Sequence, residues 1–202
     1  MLASYGDFIP AGIDQRTLPE PGSGGFVGTG ARYSDLQLYA LTQFLYSLEP
    51  PRSPHPFDEA AARGQEVFRR EGCERCHTPP LYTNNKIIPA PGFEPPASHR
   101  RRYDVLDTWI GTDPTLTTKT RRGTGYYKVP SLSGVWYRGP FEHNGSIAEL
   151  EDWFDQARLE PDYVPSAWRR PGARPRPVEG HPFGLALGAD DKKALVAFLR
   201  TL

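Results

Sequence analysis

Cys73, Cys76 and His77 lie in the segment REGCERCHTPP and have the types and spacing to hold a metal cofactor. Together they form C-x-x-C-H, the pattern to which a c-type haem is covalently attached. Two thiols three positions apart reach the two vinyl groups on one edge of the porphyrin, and the histidine behind them is then held under the iron. The pattern therefore predicts covalent haem c on Cys73 and Cys76, with His77 as the proximal iron ligand.

Other uses of a C-x-x-C pair fit this sequence less well. The chain has two cysteines in all, so the second pair that a four-cysteine zinc site needs is missing. The strand and helix context of a thioredoxin-like redox pair is missing too. A structural disulfide or a chance match is the remaining interpretation. The helix predicted before the motif, the TPP after it and the amphipathic segment at residues 190–202 all favour haem.

The ligand on the other face of the iron decides whether the haem carries electrons or does chemistry, and the residues leave several choices. The only methionine is Met1, in a segment with little predicted structure, so histidine–methionine ligation is not expected. His181, in GHPFG, precedes the last predicted helix, where small c-type cytochromes usually place this ligand, and it is the preferred distal ligand. His143, in FEHNGS, is the alternative distal ligand. An open or water-bound iron, or a tyrosine ligand, is left open.

Composition sets limits on the class of protein. The 202 residues are enough for one domain with a long arm. Basic and acidic residues number 24 each, and this zero net charge argues against a nucleic-acid-binding domain. The 22 prolines and 20 glycines predict many turns and few long regular elements. No stretch approaches the roughly 18 apolar residues of a membrane span.

Helices are predicted where apolar residues recur at helical spacing. The first begins at Ser34, in SDLQLYALTQFLYSLEPP. The second, EAAARGQEVFRREG, is capped by Asp58 and leads into the haem motif. The third, SIAELEDWF, begins at Ser146, with Glu149 completing a capping box. The last, DDKKALVAFLRTL, begins at Asp190.

The segments between these helices complete the predicted architecture. From Thr78 to Gly139 the sequence predicts no long helix: residues 78–96 are expected to form a loop, and residues 98–136 to contain short strands or a helical turn. So long an irregular segment is typical of chain that wraps a cofactor. Residues 1–33, rich in glycine and proline, are predicted to form an extended arm or linker. The expected fold class is mainly α: a cytochrome c-like haem domain over residues 34–202, with long irregular loops and an extended N-terminal arm.

Three segments carry a resemblance to a known family: RGQEVFRREGCERCHTPP, YYKVPSLSGVWYRGPFEHNGSIAELEDWF and GHPFGLALGADDKKALVAFLRTL. Together, over about residues 33–202, they resemble the C-terminal half of the di-haem cytochrome c peroxidase superfamily. GHPFG is most similar to the rubber-oxygenase branch. In the peroxidases the C-terminal haem relays electrons to a second haem, which is the peroxide site. The resemblance therefore implies an electron-transfer haem whose partner is a redox protein or a second haem domain.

The sequence also departs from that family. It has one C-x-x-C-H where the family has two, so the chain is expected to be the C-terminal half of a longer protein. The methionine that ligates the relay haem of the peroxidases would fall near Ala157, where none stands. The rubber-oxygenase branch has a bis-histidine relay haem, which fits His181. The resemblance further implies a calcium site, for which Asp113 is the candidate, although Ca²⁺ needs six to eight oxygen ligands.

The haem motif also bears on where the protein is located and on what it does. A c-type haem is attached outside the cytoplasm, so a periplasmic or otherwise exported protein is expected. The N-terminal MLASYGDFIPAG has no basic and apolar regions of a signal peptide, which favours a fragment of a longer exported protein. The alternative to electron transfer is a haem enzyme with an open iron that acts on peroxide or oxygen, with His143 or Glu142 as its acid–base group.

Overall fold

The computed structural model describes residues 35–119, 123–167 and 174–202. The predicted arm at residues 1–33 and the predicted cap at Ser34 lie outside them. The chain divides between Pro50 and Pro51 into two units. Helix α1, Asp35–Ser47, belongs to the first unit and ends before the prolines, as predicted. None of the described helices is long and apolar enough to cross a membrane.

The second unit is mainly helical, as predicted, and its elements are short. The helices are α2 (Glu59–Arg70), α3 (Ala97–Arg102), α4 (Thr115–Lys119), α5 (Leu150–Trp153) and α6 (Ala189–Arg200). The strands are β1 (Ile87–Pro89) and β2 (Tyr126–Lys128), and single turns of 3-10 helix cover Cys73–Arg75, Val135–Tyr137 and Gln156–Leu159.

Helices α2 and α6 pack face to face and form the centre of this unit. The Asp58 carboxylate accepts a hydrogen bond from the Ala61 backbone N–H at 2.9 Å, which caps α2 as predicted. Val67 and Phe68 of α2, with Leu195 and Phe198 of α6, are at most 2% exposed and lie in one apolar cluster. The apolar residues that recur at helical spacing in both helices therefore form the buried faces.

A glycine sets the distance between the two helices. A Cβ atom at Gly64 of α2 would lie 1.9 Å from the carbonyl oxygen of Ala194 in α6. The helices therefore approach more closely than any side chain at residue 64 permits. At one end of this contact Asp191 of α6 forms ion pairs with Arg63 and Arg70 of α2, both at 2.7 Å.

The long middle segment contains short elements, as predicted for residues 98–136, but β1 lies in residues 78–96, which were predicted to be a loop. β1 pairs with β2 in an antiparallel register that places Ile88 opposite Tyr127. Ile88 is 4% exposed, so this small sheet has one buried face. His99 of α3 lies beside it, with Nδ1 at 3.1 Å from the hydroxyl of Tyr126.

Helix α5 is shorter than predicted. Ile147 forms an antiparallel bridge with Phe141, so the chain is extended where the helix was predicted to begin. The Ser146 hydroxyl donates to the Asn144 side chain instead of capping the helix. Glu149 occupies the N-cap without a side-chain hydrogen bond. The capping-box prediction was therefore wrong, because non-local pairing takes the residues that local spacing assigned to the first turn.

Candidate haem-binding site

The C-x-x-C-H motif forms a compact turn at the end of α2. Gly72 adopts a left-handed conformation, with φ of 72°, and reverses the chain after the helix. The backbone N–H groups of Cys76 and His77 then both donate to the carbonyl of Cys73, at 3.2 and 2.9 Å. Cys73 packs against the apolar cluster of α2 and α6, and its burial raises the pKa of this thiol to about 11. Helix α2 thus fixes where both thiols stand.

His77 is oriented by the loop that follows the motif. Its Nδ1 lies 3.1 Å from the carbonyl oxygen of Tyr82. Because a carbonyl only accepts, Nδ1 carries the proton and Nε2 keeps its lone pair. Metal-binding histidines are usually held in this way. Burial lowers the pKa of His77, which favours the neutral ring that a metal requires.

The ring of His181 lies close to that of His77. The ring centres are 6.3 Å apart and the ring planes are inclined by 54°. Two imidazoles on opposite sides of one metal have ring centres about 6 Å apart, since each metal–nitrogen bond is about 2 Å and the ring centre is roughly 1 Å further. The two histidines therefore have the separation of a pair of axial ligands, and the structure brings together the proximal and distal candidates.

The main chain at His181 has an unusual conformation. Its φ is 46°, in the left-handed region that residues other than glycine, asparagine and aspartate rarely adopt. The backbone N–H of His181 donates to the carbonyl of Ile110 at 2.6 Å. Burial lowers the pKa of the ring to about 4, with smaller contributions from His77 and Arg158. The ring is therefore neutral at physiological pH.

Trp153 of α5 contacts the ring of His181 directly. Its indole Nε1–H donates to Nδ1 of His181 at 3.2 Å. In this arrangement the proton of the neutral ring is on Nε2. Binding of iron through Nε2 would move that proton to Nδ1, and the indole N–H would then lose its acceptor. The ring pair fits a haem in spacing and charge, whereas the Trp153 hydrogen bond belongs to the metal-free tautomer.

A buried arginine holds the loop that carries His181. Arg158 is 1% exposed. Its Nε donates to the carbonyl of Trp153 at 2.9 Å, and its Nη2 donates to the carbonyls of Gly180 and His181 at 2.8 and 3.0 Å. Nη1 donates to the carbonyl of Val178. The sequence reasoning missed Arg158, and the polar stretch DQARLE contains no signal that would have revealed it.

His143, the alternative distal ligand, lies in a different environment. Its Nδ1 is 3.3 Å from the Glu142 carboxylate and its Nε2 is 3.9 Å from that of Asp113. Its ring stacks at a tilt on Tyr127, with ring centres 5.5 Å apart. His143, Glu142 and Asp113, together with Trp109 and neighbouring residues, line a cleft of about 420 Å³. His143 therefore lies beside two carboxylates, and it is the ring of His181 that contacts His77.

The other candidates occupy separate places. Asp113 accepts a hydrogen bond from the backbone N–H of Thr115 at 3.0 Å. The described ranges contain no group of three or more His, Cys, Asp or Glu side chains that would hold a metal ion, so calcium at Asp113 stays a prediction of the resemblance. Met1 and the region around it lie outside the described residues.

Comparisons with known proteins give weak similarities. No sequence profile of a protein family matches this chain. A curated protein from Sinorhizobium fredii (strain NBRC 101917 / NGR234), named Uncharacterized protein y4iM, is 26% identical over 152 residues, covering 61% of this chain and 35% of that protein. The crystal structure of a MauG-like protein associated with microbial copper homeostasis has a TM-score of 0.41 and 20% identity, covering 73% of this chain and 47% of that one.

The chain thus spans about a third of the curated relative and about half of the solved protein. Similarities of this size carry no argument about chemistry, so the function is argued from the residues themselves.

Proposed function

We propose that this chain is an electron-transfer domain that holds one covalent haem c between His77 and His181, as part of a di-haem peroxidase-like oxidoreductase. Cys73 and Cys76 attach the haem, and the two histidines ligate its iron. The observation that carries the proposal is the 6.3 Å separation of the two imidazole centres, directly behind a C-x-x-C-H turn.

The protonation of the two rings supports this role. Burial lowers the pKa of both histidines, to about 4 for His181, so both rings are neutral at neutral pH. On His181 the lone pair is on Nδ1, which accepts from Trp153, and binding through Nε2 would need the other tautomer. A bound haem supplies reversible one-electron chemistry, at a potential set by its axial ligands and its burial. With both His77 and His181 bound to the iron, no position would be left for peroxide or oxygen. Electron transfer therefore fits the two rings better than the alternative of an open, reactive iron.

One buried polar atom lacks a hydrogen-bond partner among the described residues. It is the indole Nε1–H of Trp136. A buried donor without an acceptor costs about 1–3 kcal/mol. Haem carries two propionate carboxylates, which are acceptors for such a group. The ring contacts of Trp136 are with His55 and Tyr137, so this donor by itself does not locate the haem.

The proposed partner and location follow from the same chemistry. A six-coordinate haem passes electrons to another redox centre, so the partner is a redox protein or a second haem domain. Covalent haem attachment takes place outside the cytoplasm, so the protein is periplasmic or otherwise exported. Both statements rest on the haem motif and on the resemblance to di-haem peroxidases.

Spectroscopy of the haem-loaded protein tests the proposal. The visible and EPR spectra of the oxidised wild type are expected to be low-spin, and those of His181→Ala high-spin, because the iron loses its sixth ligand. His143→Ala is the matched control and is expected to stay low-spin. A high-spin wild type that binds cyanide or peroxide would support the open-iron alternative instead. A low-spin His181→Ala with a high-spin His143→Ala would assign the distal position to His143.

A further inference from the structure

Arg158 is a buried charge that the proposed electron-transfer role does not by itself explain. Its guanidinium donates to four main-chain carbonyl groups. Among the described residues no carboxylate forms an ion pair with it. Burial of a cation without a counter-ion is costly, and burial indeed lowers the pKa of this group. A residue that serves only to fill the interior would be better replaced by an apolar side chain.

The contacts of Arg158 converge on one residue, His181. Two of its hydrogen bonds reach the carbonyls of Gly180 and His181 itself, where the chain has φ of 101° and 46°. Its guanidinium also lies over the ring of Trp153, 5.7 Å from the centre, and bonds to the carbonyl of that residue. Trp153 in turn contacts the His181 ring. Arg158 therefore fixes both the main chain of His181 and the neighbour of its side chain.

We infer that Arg158 is a positioning residue for the distal ligand, which holds the His181 loop in its left-handed conformation and keeps a positive charge beside the proposed haem. This inference rests on the proposed function, because it assumes that His181 binds iron. It assigns two separable effects to one side chain. The fork of N–H donors keeps His181 within reach of the iron, and the charge favours the reduced, less positive state of the haem.

The effect of the charge has a definite sign. Oxidation of the iron adds one positive charge, and a nearby buried cation opposes it. Within the described residues the acid that acts on both Arg158 and His181 is Glu142, which offsets part of this field. Removal of the Arg158 charge is therefore expected to lower the reduction potential. Loss of the fork without the charge is expected to weaken ligation and leave the potential of the ligated form nearly unchanged.

Three variants of the haem-loaded protein separate these effects. Arg158→Met removes fork and charge, and Arg158→Lys removes the fork and keeps the charge. Arg200→Met is the matched control, because it also removes one arginine charge, but Arg200 bonds to the carboxylate of Glu151, at 2.9 Å, and not to the loop of His181. For each variant the high-spin fraction is measured by EPR and the midpoint potential by spectroelectrochemical titration. Far-UV circular dichroism establishes that each variant is folded.

Arg158→Met is expected to become largely high-spin and to regain a low-spin spectrum when imidazole is added, because the iron is intact and the ligand is displaced. In its imidazole-bound form the ferric state is expected to gain at least tenfold over the ferrous state relative to imidazole-bound Arg158→Lys, a shift of about 59 mV. Arg200→Met is expected to match the wild type. If Arg158→Met fails to fold, the same comparison is made between Arg158→Lys and Arg158→Gln.

The inference is overturned if folded Arg158→Met or Arg158→Gln is low-spin without imidazole and has the potential of the wild type. It is also overturned if Arg158→Lys and the neutral variant have equal potentials. Failure of the proposed function gives a different result, because it is seen in proteins that keep Arg158: the wild type would be high-spin, or His181→Ala would be low-spin. The two proposals can therefore fail separately.

Discussion

Gly64→Ala tests the closest contact in the structure, between α2 and α6. The new Cβ would lie 1.9 Å from the Ala194 carbonyl oxygen, against at least 3.4 Å for an ordinary contact, so the helices would have to move apart by the difference, about 1.5 Å. The opposing atom belongs to the backbone and has no rotamer through which to escape. Overpacking of this kind costs about 1–3 kcal/mol and occasionally more.

The net effect depends on two opposing contributions. Alanine has a higher helix propensity than glycine by about 1 kcal/mol, which stabilises the variant. The clash destabilises the variant. Separation of the helices also opens gaps around Phe68 and Phe198, which are at most 2% exposed, and so weakens their packing. We expect a net loss of about 2 kcal/mol or more. In a protein of this size that lowers Tm by roughly 4–8 °C.

Urea unfolding followed by far-UV circular dichroism measures this loss. Glu66→Ala, at an exposed position of the same helix, is the control and is expected to change stability by less than about 0.5 kcal/mol. If Gly64→Ala is instead more stable than the wild type by about 1 kcal/mol, helix propensity alone governs the site. That result would refute the close crossing of α2 and α6.

Two further predictions concern pH. The ion pairs of Asp191 with Arg70 and Arg63 lower the pKa of that carboxyl. Their contribution to stability is therefore present above the unfolded pKa of about 3.9 and is lost as pH falls through the lower folded pKa. In urea titrations Asp191→Asn should be less stable than the wild type at pH 7 and equally stable at the acid limit, and the same difference in stability at both pH values would contradict the assignment. In protein made without haem, burial raises the pKa of Cys73 from 9.0 to about 11. The thiolate fraction of Cys73 at pH 8 is then roughly a hundredfold below that in the unfolded chain. Iodoacetamide should therefore alkylate Cys73 much more slowly in the folded protein than in urea, and equal rates would argue against its burial.

Local signals in the sequence predicted the frame of the site. Asp58 before an apolar periodic run and Gly72 after it predict α2 and its end, and the structure confirms both. The last helix was predicted from the same kind of spacing, and it begins within one residue of the predicted position. These features depend on residues three or four apart in one helix, which is why composition and spacing were enough. The choice of His181 came instead from its position ahead of the last predicted helix, where small c-type cytochromes usually place the distal ligand.

Features that depend on distant residues were not predictable in this way. Ser146 and Glu149 have the spacing of a capping box, but a bridge between Ile147 and Phe141 keeps the chain extended there. Arg158 lies in a stretch that looks exposed, and its burial depends on carbonyl groups that follow it by 20 residues or more in the chain. The predicted role of His181 as a ligand stays a prediction, with geometry in its favour.

The segment from Ile110 to Thr112 determines how far the distal loop can be transplanted. A Cβ atom at Gly180 would lie 2.5 Å from the Thr112 hydroxyl, and the N–H of His181 bonds to Ile110. The conformation of GHPFG therefore depends on contacts with residues outside this segment. Grafting these five residues onto a different protein would require residues 110–112 as well, because that segment supports the unusual backbone conformation at Gly180 and His181.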